Sequence, residues 1–204
     1  MRPHAFKVCV PDSLCGGLLG SRGGSGTQKE EIQNDSGARL VLSNREEHYP
    51  STRLRIIIVH ADEPQQIMTA LDRLVEKTVE CAHSERDNSR NAQEFLGRAP
   101  GEIAFHASVP KAMSEVLIGP QGVCLGQLMQ ETGAQVLPDR DAYDGHLLLR
   151  IMGTPGMVKS VLDKLLMVID RSSGHEAFLS WASLRAFPAE PAVEVDPCAA
   201  SALE

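Results

Sequence analysis

Nowhere does this chain carry an apolar run approaching the length of a membrane span, and its opening residues, MRPHAFKVCV, lack the extended apolar core of a secretory signal. A soluble, intracellular protein with no membrane contact is the expectation. Cysteine is scarce and scattered: Cys9, Cys15, Cys81, Cys124 and Cys198 are odd in number and form no C-x-x-C pair, so neither a disulfide framework nor a zinc site is indicated. Missing too are the H-x-x-x-H and G-x-S-x-G patterns of zinc and serine hydrolases; the seven histidines are dispersed. Asp139, Asp141 and Asp144 cluster as in a metal loop, but the glycine and distal Glu of an EF-hand are not in place, so a solvated loop is expected there. No catalytic residue, metal or cofactor is assigned. Positive charge is also in deficit. A formal net charge of -7 argues against a strongly basic, non-specific nucleic-acid binder, because phosphate neutralisation normally draws on clustered Lys and Arg.

What the chain does have is apolar material for one medium domain or two small ones, with 42% hydrophobic residues in a length of 204. It also has a duplication. The segment FKVCVPDSLCGGLLGSRGGSGTQKEEIQNDSGARLVL returns downstream as IAFHASVPKAMSEVLIGPQGVCLGQLMQETGAQVL. Each copy reads as an alternating strand ending in Val-Pro, a short helical stretch, a glycine loop, a second helical stretch ending in Gly-Ala, and another strand. Pro11 and Pro110 mark equivalent corners. A polar loop, an apolar strand and a longer helix follow in both. Ile67, Leu71, Leu74 and Val75 share one face of the first long helix; Val158, Val161, Leu162 and Leu165 share one face of the second. The glycine loop of the second copy, Gly119-Pro120-Gln121-Gly122, is not a nucleotide-binding P-loop, because Val123 and Cys124 stand where Lys and Ser or Thr are needed.

The order β-α-α-β-β-α, together with FKVCVPDSLCGGLLG, SGARLVLS, HYPSTRLRIIIV, LIGPQG and ETGAQV, resembles the type I KH domain. The first copy is most similar to the tandem KH modules of Nova-type splicing regulators and their poly(C)-binding relatives. The resemblance implies an α+β fold of two type I KH domains, residues 6–83 and 102–172, each a three-stranded antiparallel sheet packed on three helices. Residues 84–101, polar and poor in β-branched residues, read as a linker. Residues 173–204 read as a tail with a short helix, then disorder. Phe178, Trp181, Leu184 and Phe187 could form a stripe that docks on the second module or on a partner.

In such modules a Gly-x-x-Gly loop lets the nucleic-acid backbone approach, while the flanking helices and a strand form a groove for about four unpaired bases. The resemblance therefore assigns RNA contact to Gly119, Pro120, Gln121 and Gly122; a tight helix-to-helix turn is the alternative reading of the same residues. In the first copy the loop is about three residues longer. Alignment from its left places the motif at Gly20-Ser21-Arg22-Gly23, alignment from its right at Gly23-Gly24-Ser25-Gly26. The left placement keeps Leu18 and Leu19 ahead of the loop and lets Arg22 meet a phosphate. Arg39 and Arg55 hold positions from which the related modules hydrogen-bond pyrimidines; Gln135 and Leu147 replace them in the second copy, so only the Gln can still read a base edge. The resemblance implies pyrimidine-rich single-stranded RNA as partner, with single-stranded DNA, a protein partner or self-association as alternatives. It also implies a role in mRNA processing or splicing, in nucleus or cytoplasm. A KH-fold scaffold with degenerate grooves is the rival reading.

Overall fold

The computed structural model describes residues 2–19, 28–85, 95–171, 176–183 and 187. The first copy contains β1 (His4–Pro11), α1 (Asp12–Leu19), α2 (Gln28–Ser36), β2 (Arg39–Leu42), β3 (Leu54–Ala61) and α3 (Pro64–Glu85). The second contains β4 (Ile103–Pro110), α4 (Ser114–Ile118), α5 (Val123–Thr132), β5 (Gln135–Tyr143), β6 (His146–Gly153) and α6 (Pro155–Asp170), with 3-10 turns at Lys111–Met113 and Pro120–Gly122. A seventh helix, α7 (Glu176–Ser183), follows. No helix among the described residues is long and apolar enough to cross a membrane.

Both copies end their second helix in the same way. Gly37 and Gly133 take φ 71° in each case, and their amides bond Gln33 O and Met129 O at 2.9 Å. The hydroxyl one residue earlier, Ser36 or Thr132, donates back to Ile32 O at 2.6 Å or Leu128 O at 2.7 Å and accepts from the amide of Ala38 or Ala134. A left-handed glycine turns the chain out of the helix without a Cβ clash, and the hydroxyl satisfies groups that the broken helix leaves orphaned. That is why Ser/Thr-Gly-Ala recurs before both β2 and β5.

The two sets of strands do not form separate three-stranded sheets. They join in one antiparallel sheet of order β2-β3-β1-β4-β6-β5, in which β1 and β4 pair through Lys7 with Ser108, Val8 with Ala107 and Cys9 with His106. The reason lies in β1. Within its own copy it is an edge strand with a free ladder of N–H and C=O groups, yet its residues from Ala5 onward are buried on both faces, so it needs a neighbour beside it and cover above it. One face carries Phe6, Val8 and Val10 into a core shared with Ile67, Leu71, Leu74 and Val75 of α3 and with Val158, Val161, Leu162 and Leu165 of α6. The two long helices lie against each other across the join, where Lys159 reaches Asp72 and Glu76, each at 3.4 Å.

The opposite face holds Cys9, Tyr49, Ile56, Ile58 and Leu148. The tail reaches this side: Trp181 lies under the Lys7 ammonium, 5.3 Å from ring centroid to Nζ, and the Phe187 ring meets Tyr49 and His146. Phe178 and Trp181 are buried, which is worth roughly 1.5–3 kcal/mol for each such side chain. Leu184 lies outside the described residues. Of the stretch read as a linker, α3 takes residues up to Glu85, Phe95 is fully buried, and Leu96 forms a bridge with Ile103. Averaged composition hides a single apolar anchor of this kind. Asp139 and Asp141 belong to β5, and Asp144, with φ 44°, opens the β5–β6 turn.

Candidate nucleic-acid interface

In the first copy, Pro11 ends β1 and the chain passes straight into α1, which places Asp12 at the start of that helix. Helices α1 and α2 and the edge strand β2 then enclose an open cleft of about 970 Å³. Among the described residues, Lys29, Arg39, Arg45 and Arg55 line it against one carboxylate, Asp12. Locally, therefore, an acidic protein presents a positive surface beside half-buried Val41 and Leu42. Such a combination suits a phosphate backbone with bases laid on an apolar floor.

The two arginines expected to read bases do line this one cleft, but in different states. Arg39 is the first residue of β2, exposed, and its guanidinium has no hydrogen-bond partner among the described residues. Arg55 is 94% buried. Its Nη2 donates to Ser43 O, and its Nε sits 3.8 Å from Asp12 Oδ1. Asp12 is held in turn by His48, with Nε2 to Oδ2 at 3.2 Å. Ser43 completes the frame, its hydroxyl donating to Glu47 O at 2.9 Å and accepting from Ile56 N at 3.1 Å. Arg55 thus braces the cleft wall. Gly20, Ser21, Arg22 and Gly23 lie outside the described residues.

Sequence reasoning passed over Lys29, Gln33 and Arg45. Lys29 and Gln33 are one helical turn apart on α2, and this i, i+4 spacing was the available signal. Gln33 also supplies its side-chain oxygen to Leu40 N at 2.9 Å, tying α2 to the edge strand. Arg45 lies in a polar loop, and no periodicity marks it.

In the second copy the glycine loop is fully described. Helix α4 stops at Gly119, φ 71° and ψ 175°, whose amide bonds Glu115 O at 2.8 Å. Gln121 follows with φ 52° and Gly122 with φ 80°, after which α5 begins. The two glycines serve different ends. A Cβ on Gly119 would meet Cys124 Sγ at 2.5 Å and Cys124 Cβ at 2.9 Å, so this glycine is demanded by packing inside the protein. A Cβ on Gly122 would meet nothing within 4 Å, so its backbone faces open space. Pro120 and Gln121 are exposed, as are Val116 and Val123 on either side, at 66% and 55%. Leu125 and Leu128 turn inward, with Ile118 half-buried. Gln135 is half-buried at the start of β5, on which α5 packs, and Leu147 is in the core. Lys111 occupies the corner held by Asp12 in the first copy, so the charge at that corner is reversed.

No protein-family profile matches the chain. It is similar to the RNA-binding protein Pasilla of Drosophila melanogaster, 23% identical over 192 residues that cover 89% of this chain and 23% of that protein. The chain thus spans about a quarter of the length of this curated relative. Among solved structures it is similar to Dim2p of Pyrococcus horikoshii within an a/eIF2alpha–aDim2p–rRNA complex, with TM-score 0.28, 14% identity, and 88% and 92% of the two chains covered. Dim2p alone gives 0.27, 14%, and 87% and 97%. A protein of unknown function from Aeropyrum pernix gives 0.28, 13%, and 89% and 88%.

Proposed function

We propose that this chain binds single-stranded, pyrimidine-rich RNA through two KH-type modules, residues 6–83 and 102–172, and that it acts in post-transcriptional control of RNA in the nucleus or cytoplasm. The observation that carries the reading is the cleft between α1, α2 and β2: Lys29, exposed Arg39 and Arg45 and half-buried apolar residues of β2, on a protein whose overall charge is negative. The likeness to a protein named for RNA binding, along nearly the whole chain, supports the same reading. The first module is the stronger binder, because Arg39 faces solvent while its counterpart Gln135 carries no charge. Few cations per groove mean few displaced counterions, so affinity falls only gently with salt.

The test is a titration of labelled short RNAs, pyrimidine-rich and purine-rich, with the full chain and with Arg39→Ala. Because Arg39 is exposed and makes no described bond, its replacement leaves the melting temperature in place and weakens pyrimidine binding by about 1–3 kcal/mol, the usual worth of a good base contact. Equal affinity of both proteins for every RNA would refute this assignment. Absence of any RNA binding by the wild type would favour the protein-interaction scaffold.

A further inference from the structure

We infer that the two grooves take a single RNA that turns back on itself, with its two unpaired tracts running in opposite directions at the two edges of the sheet. The inference rests on the RNA-binding reading above and extends it to the shape of the ligand. It follows from strand directions. Every neighbouring pair in the sheet is antiparallel, so β2 points the same way as β1, β5 the same way as β4, and β1 runs against β4. The two copies are therefore related by an approximate two-fold axis at the central join, and β2 and β5, the strands bordering the grooves, are the outermost pair and run oppositely. Equivalent grooves related by such an axis hold a polar ligand in opposite senses.

The relation is built in. Lys7, Val8 and Cys9 at the join are at most 1% exposed, α3 and α6 pack across it, and His4 of β1 is paired with Asp170 at the end of α6. Separating the copies would uncover all of this apolar surface. The span between grooves is thus set by the sheet. Five inter-strand steps of 4.7–4.9 Å put β2 and β5 roughly 24 Å apart. A strand leaving the first groove at one end of the sheet crosses that width and enters the second groove at the same end. With the tracts in reverse order, the crossing is made at the other end, over the same distance. Two copies related by a simple translation would instead require a long return path in every case.

The second tract also has its own chemistry. Gln135 in place of Arg39 and Leu147 in place of Arg55 remove two positive charges from that groove, and Val116 and Val123 are exposed beside its glycine loop, so it holds bases by amide bonding and apolar contact more than by arginine charge.

The experiment uses the full chain. A pyrimidine-rich tract is joined through inert polyethylene glycol spacers of increasing length to a second tract, enriched from a fully mixed-base pool by binding to the same protein. Affinities are measured for both tract orders. Donor and acceptor dyes on the two RNA ends report their separation. The expected result is a gain of about a hundredfold over the pyrimidine tract alone once the spacer spans the sheet, with a shallow decline at longer spacers. The threshold length is the same for both orders, and energy transfer rises on binding. The Pro120→Asp, Gln121→Asp pair abolishes the gain, whereas Arg39→Ala weakens the single tract and the linked RNA alike and leaves their ratio in place. A linked RNA no tighter than its single tract at any spacer, unequal thresholds for the two orders, or ends that move apart would overturn the inference. Failure of the single pyrimidine tract to bind at all would instead sink the RNA-binding reading on which it rests.

Discussion

Arg39 and Arg55 look alike in the sequence and line the same cleft, yet one faces solvent and the other is built into the wall. A guanidinium exposed to solvent can be spent on a ligand; one already bonded to Ser43 O and poised beside Asp12 is holding the loop that shapes the groove. Arg55→Ala should therefore lower thermal stability as well as RNA affinity, by about 1.5–3 kcal/mol for a lost charge-assisted bond. Denaturant unfolding measures the first effect, and Arg39→Ala, with unchanged stability, is its control. The glycines divide in the same manner. Gly119→Ala brings a methyl into Cys124 in addition to its left-handed φ, while Gly122→Ala bears the conformational strain alone, about 1–2 kcal/mol. The unfolding midpoint of Gly119→Ala is expected to lie clearly below that of Gly122→Ala, and the reverse order would show that Cys124 yields readily.

Among the elements, the 3-10 turn Pro120–Gly122 is the one whose purpose the sequence leaves open. Its conformation is set by Gly119, Gln121 and Gly122, its middle side chains are exposed, and α4 and α5 bury Leu117, Leu125 and Leu128 on the far side. Replacing Pro120 and Gln121 together by Asp adds two negative charges. Asp also tolerates the left-handed backbone at position 121 better than most residues. Melting temperature should hold while RNA affinity of the second groove falls, since phosphates are repelled at close range. Unchanged affinity at unchanged stability would make the turn a structural hinge only. Helix α7 is the other element whose docking place only the packing reveals. It supplies buried Phe178 and Trp181 and covers Lys7.

The molecule as a whole carries an unusual titration at its central join. Lys7, fully buried in β1, donates to His146 Nε2 at 2.9 Å, while His146 Nδ1 donates to Asp144 O at 2.8 Å. Burial lowers the Lys7 pKa from 10.5 to about 7, with Cys9 opposing weakly, and burial plus the Lys7 charge lowers His146 from 6.5 to about 4. His106, paired with Cys9 across the join, is lowered by burial and by Arg150 to about 4. Between pH 4 and 6.5 the unfolded chain binds more protons at these histidines, so stability falls as the pH falls. Between about pH 7 and 10.5 the unfolded chain again holds the extra proton, on Lys7, so stability rises with pH. From pH 9 upward Cys9 and Cys15, pushed up by burial to about 12 and about 11, act in the opposite sense. The melting temperature should climb from pH 7 to 9, and Lys7→Met should remove that climb. A wild-type profile that is flat over this window would mean that Lys7 is charged in the folded protein.

Period and punctuation in the chain determined the order of elements, the duplication and the inward faces of α3 and α6, because helix and strand spacing and Ser/Thr-Gly-Ala endings act over a few residues at a time. The same local signals marked the glycine loop of the second copy, and the resemblance to KH modules marked Arg39 and Arg55 alike. They could not tell Arg39 from Arg55, because exposure depends on Ser43 and Asp12 from other elements. Nor could they show that β1 pairs with β4, that Phe95 is a core residue, or that Trp181 shelters a lysine. Those outcomes were decided by tertiary structure: a strand apolar on both faces has no stable place at a sheet edge, and its partner and its cover come from segments far away in the chain. The opposite directions of β2 and β5 follow from that one pairing.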